Sequence, residues 1–105
     1  MNALDALGNP VRRQILLELR AKPLSVGELA GRFPVSRPAI SKHLRALERG
    51  GLVETSRKGT RHLYSVRVQG FASVREFIDG FWDTALDRLA SMARDETSMT
   101  RRRRS

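Results

Sequence analysis

Apolar residues recur at helical spacing three times in the first half of the chain. Val11, Ile15, Leu16 and Leu19 share one helical face. Asn9 is placed to cap that helix and Pro10 to occupy its first position, where the missing N–H would have had no partner anyway. Pro23 limits its far end. In the following LSVGELAGRF, Ser25 and Glu28 form the S-x-x-E pattern of a capping box, with Leu24 and Leu29 at staple spacing. Gly31 and Pro34 keep this second helix short. Ser36 caps a third, with Val35 and Ile40 again at staple spacing and Pro38 in the tolerant first turn. The Gly50-Gly51 pair ends it with a left-handed stop.

From Leu52 the period changes. LVETSRKGTRHLYSV predicts two strands around a turn near Lys58-Gly59, rich in β-favouring Val53, Thr55, Leu63, Tyr64 and Val66. A long helix is expected next, from about Phe71 to about Arg94. Its seam is Phe71, Val74, Ile78, Phe81, Ala85, Leu89 and Met92, widened by Phe77, Trp82 and Leu86. So broad an apolar face exceeds the needs of one small domain and points to burial against a second copy. ETSMTRRRRS reads as a disordered basic tail, which leaves one domain over 1–95 and a tail over 96–105. The expected class is mostly α with a small β-hairpin.

Charge sharpens this picture. The 105 residues carry 20 Lys plus Arg against 11 Asp plus Glu, a formal net charge of +9. The arginine run 101–104 supplies only part of that excess, so the body is basic by itself. Such a balance suits nucleic acid or an anionic membrane. No window approaches the roughly 18 apolar residues of a membrane span, and the N-terminus lacks the order of a signal peptide. With no cysteine, disulfides and thiolate metal sites are excluded, which suits the cytoplasm.

The third helix gathers the chemistry. Steps of 100° put Ile40, Leu44 and Leu47 in one narrow sector and Pro38, Lys42, Arg45 and Arg49 opposite, with Ser41 beside them. The seam fixes the helix to the body and the basic side is free to enter a major groove. At its start Arg37 has the fork to grip guanine O6 and N7, Ser36 and Ser41 offer hydroxyls, and Pro38 offers an apolar surface to a thymine methyl. Lys42 reaches the groove floor or a phosphate; Arg45 and Arg49 suit the backbone. The hairpin adds Arg57, Lys58, Thr60, Arg61 and His62. Two short helices joined by a tight turn and followed by a basic hairpin form the pattern of a winged helix-turn-helix.

The stretches ALGNPVRRQILLELR (6–20), LSVGELAGRFPVSRPAISKHLRALERGGLVETSRKGTRHLYSV (24–66) and FWDTALDRLA (81–90) resemble the ArsR family of bacterial winged-helix repressors. The resemblance covers roughly residues 3 to 95. It implies a homodimer on a dyad-symmetric duplex operator, with the first and last helices as the dimer interface. Here that means Leu4 and Leu7 with Phe71, Val74, Ile78, Phe81, Trp82, Ala85 and Leu89. Many members sense metals through cysteines in the helix before the recognition helix, or through His and carboxylates on the last helix. The matching SVGELAGRF has no cysteine and no His follows His62, so the chain resembles the metal-blind branch: no metal, no cofactor, and an effector that the sequence does not name.

Other readings of these residues compete. His43, flanking the buried seam, is expected to be packed or hydrogen-bonded, while His62 is the more exposed. Asp79, Asp83 and Asp87 with Glu76 suggest a solvated edge or pairing with arginines across a dimer. Two histidines in dissimilar settings, no cysteine and no Gly-rich phosphate loop leave no acid, base and nucleophile set for an enzyme. RNA binding lacks stacking aromatics on the basic elements. The principal alternative is a winged-helix protein-interaction module with only non-specific DNA affinity.

Overall fold

The computed structural model describes the backbone of residues 1–104 and the side chains of residues 1–95. Helices α1 (Ala3–Ala6), α2 (Pro10–Leu19), α3 (Val26–Ala30) and α4 (Arg37–Arg49) come first. Strands β1 (Val53–Lys58) and β2 (Arg61–Val66), a 3₁₀ turn (Val68–Phe71) and helix α5 (Ala72–Arg104) follow. By contacts the chain divides into two compact units, Met1–Val74 and Arg75–Ser105.

The expected caps are all present. Asn9 Oδ1 accepts from the N–H groups of Val11 and Arg12 at 2.9 and 3.2 Å. Ser25 Oγ accepts from the Glu28 N–H at 3.2 Å, and the Glu28 carboxylate accepts from the Ser25 N–H at 3.2 Å. Ser36 Oγ accepts from the Ala39 N–H at 3.3 Å. Each cap satisfies donors that a helix start would otherwise leave orphaned. The stop after α4 is Gly51, at φ +76°. Helix α1 is one turn that the apolar pattern did not predict, closed by a capping box between Asn2 and Asp5.

The first unit buries Ile15, Leu16 and Leu19 of α2, Leu29 of α3, Ile40, Leu44 and Leu47 of α4, with Leu24, Leu52 and Val53. The seam of α4 is fully inaccessible at Ile40, Leu44 and Leu47, so its opposite side must face outward. β1 and β2 pair antiparallel from Val53↔Val66 to Lys58↔Arg61, leaving Gly59 and Thr60 as the turn. Gly59 at φ +64° supplies the left-handed residue that a two-residue hairpin requires. The hairpin is anchored by a third short segment: Leu24 and Tyr64 exchange backbone hydrogen bonds of 3.0 and 2.8 Å.

Two expectations need correcting. Val74 is buried in the core of the first unit, against which Phe71 and Leu7 also pack. These residues, assigned from the sequence to a subunit interface, are thus used wholly or partly by the chain's own core. Helix α5 also runs to Arg104, past the end expected near Arg94; the side chains of the expected tail, 96–105, lie outside the described residues. Farther along α5, Phe77, Ile78, Phe81, Trp82, Leu86, Leu89 and Met92 are exposed and Ala85 is half-buried. No helix among the described residues is long and apolar enough to cross a membrane.

Candidate nucleic-acid interface

The outward side of α4 carries Pro38, Lys42, Arg45 and Arg49, all exposed, with Ser41 half-buried beside them. The buried seam dictates this arrangement, because the two sets lie on opposite sides of a thirteen-residue helix. At 1.5 Å per residue the helix extends about 20 Å, enough to lie in one major groove. Ser36 is exposed, but its hydroxyl already accepts the capping bond.

Two grooves flank α4. One, of about 850 Å³, lies between α4 and the start of α2 and is lined by Arg12, Lys42, His43, Arg45 and Arg49 among others. The other, of about 380 Å³, lies between the start of α4 and the hairpin, where Arg37 meets Ser25, Thr60, Arg61 and His62. The Arg37 guanidinium rests beside Gly27. Arg57 and Lys58 are exposed on β1 with Thr60 at the tip. The fold therefore brings the recognition-helix and wing residues to one part of the first unit.

The wing is more tied down than its sequence suggests. Arg61 forms an ion pair with Glu28, so the hairpin is linked to the capping box that starts α3. Glu28 is held below its ordinary carboxylate range, first by the Ser25 backbone N–H and hydroxyl and then by Arg61. Arg57 Nε donates to His62 Nε2 at 3.2 Å across the strands, an arrangement that needs the imidazole unprotonated at that nitrogen. Exposed pairs contribute little stability; their effect here is to position side chains. Arg57, Lys58 and Thr60 are exposed on the wing.

His43 is half-buried and lines the larger groove. Burial, then Arg12 and Lys42, hold its pKa below the ordinary 6.5. Its proximity to Arg12 has no signal in the sequence, because α2 and α4 are brought together only by the core. In the stretch 25–33 Glu28 is the one metal-type ligand, and its carboxylate bonds Ser25 and Arg61.

The model of a helix-turn-helix domain family matches residues 7–56. An HTH-type transcriptional regulator of Mycobacterium tuberculosis, Rv2034, is 43% identical over 94 residues, covering 90% of this chain and 88% of that protein. The transcriptional repressor SdpR of Bacillus subtilis is 35% identical over 65 residues, covering 62% and 72% respectively. Among solved structures, a homodimeric winged helix-turn-helix DNA-binding domain of Mycobacterium bovis, described as a possible ArsR-family regulator, is 32% identical with a TM-score of 0.63. That match covers 77% of this chain and 75% of the other.

Proposed function

Because this chain belongs to the ArsR family of winged helix-turn-helix regulators, we propose that it is a homodimeric, sequence-specific repressor on duplex DNA. The observation that carries this reading is the division of α4 into a wholly buried seam and an exposed cationic side, beside an exposed basic hairpin. Two recognition helices in a dimer would occupy major grooves about 34 Å apart on a pseudo-palindrome. Repression follows from the same occupancy, since a protein seated on a promoter excludes polymerase. Residues 1–95 form the functional module in this reading, and 96–105 a basic extension that adds non-specific affinity in the cytoplasm.

Within the interface, Arg37 is the base reader: recognition helices contact base edges from their N-terminal residues, and Arg37 occupies the first turn. Ser41 and Pro38 complete the surface offered to bases. Lys42, Arg45 and Arg49 grip phosphates, joined by Arg57, Lys58 and Thr60 on the wing. Arg61 and His62 position the wing through their bonds to Glu28 and Arg57.

Two substitutions separate these roles. Arg37→Ala should cost about 1–3 kcal/mol on the correct operator and almost nothing on scrambled duplex. Lys58→Ala should weaken both duplexes alike and flatten the dependence of log K on log salt by about 0.9. Anisotropy titrations of each variant on both duplexes read the difference. Equal losses on the two duplexes for Arg37→Ala would remove it from base reading and leave it a phosphate contact.

A further inference from the structure

A helix seated in a major groove has a phosphate strand on each side of it, and α4 has a groove on each side. The wing groove accounts for one strand. The other groove adds to the cationic side of α4 a cation from another helix, Arg12. Arg12 reaches it from α2, alongside Lys42, Arg45 and Arg49, and none of its lining residues is a carboxylate. Glu48 lies on the far flank, beside Arg45 and Arg49.

Arg12 is poorly satisfied where it stands. Its Nε is buried with no hydrogen-bond acceptor among the described residues. Its Nη2 reaches the Asp5 carbonyl only at 3.4 Å and its Nη1 the Met1 thioether at 4.0 Å, both weak contacts. A buried donor without an acceptor costs free energy that an arriving anion would recover. Beside it stands His43, a group able to change its charge near neutral pH. The charged side chains around His43 are Arg12 from α2 and Lys42, Arg45 and Arg49 from α4. All are cations.

We propose that this groove is a seat for a phosphodiester of the DNA backbone, in which Arg12 is the fixed cation and His43 takes up one proton from solvent as the phosphate enters. The proposal rests on the DNA-binding reading and adds to it a second, sequence-independent grip and a dependence on pH. In the free protein, burial and then Arg12 and Lys42 hold the His43 pKa below its ordinary value and so favour the neutral imidazole. A phosphate in the groove opposes those cations and favours the imidazolium. Affinity therefore rises as pH falls through the raised value in the complex. It levels off once pH drops below the depressed value of the free protein, where His43 is already charged in both states. The same depression implies that folding stability falls below about pH 6.5, because the unfolded chain then binds the proton more readily.

The test is anisotropy at fixed ionic strength between pH 5.5 and 8, on operator and on scrambled duplex. The wild type should bind both several-fold more tightly at pH 6 than at pH 7.5, within the ceiling of about 30-fold that uptake of one proton sets over that interval. His43→Gln should abolish the slope, and His43→Lys should give strong binding that does not vary with pH. Arg12→Gln should weaken both duplexes and lower the salt slope by about 0.9. His62→Gln, which changes only the wing histidine, should keep the pH slope. A slope that survives in His43→Gln overturns the proposal, as does protonation of His43 by inorganic phosphate alone, followed by NMR of the imidazole, which would make the groove a free-anion site. Because the seat reads no sequence, its pH slope can be measured on scrambled duplex even if operator preference is absent. That absence would count against the regulator reading alone.

Discussion

Replacing Phe81 and Trp82 together by aspartate is expected to convert the protein to a monomer and to weaken operator binding by about 100-fold or more. On α5, Phe81 and Trp82 are 58% and 49% exposed. Their rings meet edge to face at 5.7 Å, and Phe81 stacks on Phe77 at 6.5 Å. Ile78, Leu86, Leu89 and Met92 continue the exposed apolar face. Singly scattered apolar residues need no explanation, but a continuous face of this kind marks an interface. Burying a large apolar side chain gains about 1.5–3 kcal/mol, whereas a buried unpaired carboxylate costs several kcal/mol. The variant should therefore lose the dimer while the first unit, whose core contains neither residue, stays folded. A monomer holds one half-site and forfeits the high effective concentration of its partner. Sedimentation equilibrium alongside anisotropy checks both parts. A variant that remains dimeric would move the interface elsewhere on the chain.

The second large effect is on folding. Gly70→Ala should destabilise the protein by about 3 kcal/mol or more, the upper range for overpacking. A Cβ on Gly70 would lie 1.6 Å from the Gly51 carbonyl oxygen and 2.6 Å from its carbon. Both are backbone atoms, so no side chain can rotate away. The Gly51 backbone has little room to retreat, because its N–H donates to the Glu48 carbonyl at 3.0 Å and the Leu52 N–H donates to the Leu47 carbonyl at 3.0 Å. Gly51 also holds the left-handed conformation that ends α4. Relieving the clash would thus shift the recognition helix against the wing. For a domain of this size the loss corresponds to a melting point lower by roughly 12 °C or more. A change of about 2 °C or less in thermal melting would contradict the packing described at this joint.

The local features of the fold were legible because they are written within a few residues of one another. Asn9 with Pro10, Ser25 with Glu28, Ser36 with Ala39, and Gly51 each act inside a single turn. The division of α4 into seam and cationic side follows from its period alone. Features made by distant residues left no comparable trace. The approach of Gly70 to Gly51, the ion pair between Glu28 and Arg61, and the meeting of Arg12 with His43 all depend on how elements pack. Val74 continues the apolar seam of α5 by spacing, yet the return of the chain at the 3₁₀ turn places it in the core of the first unit. Helix α1 did have a signal, the Asn2 and Asp5 pair three residues apart, but one turn is too short for an apolar period to mark it. The continuation of α5 over ETSMTRRRR has no apolar pattern behind it, and the structure offers no physical account of it.

Fluorescence anisotropy against duplex from the chain's own upstream region and against a scrambled control, over a salt series, tests whether α4 reads duplex DNA. The upstream duplex should be bound at least about 1,000-fold more tightly at physiological salt, with both affinities falling as salt rises and the preference retained. Equal binding of the two duplexes, vanishing together as salt increases, would contradict it. The cationic side of α4 would then be a surface for an acidic protein partner rather than a reader of DNA.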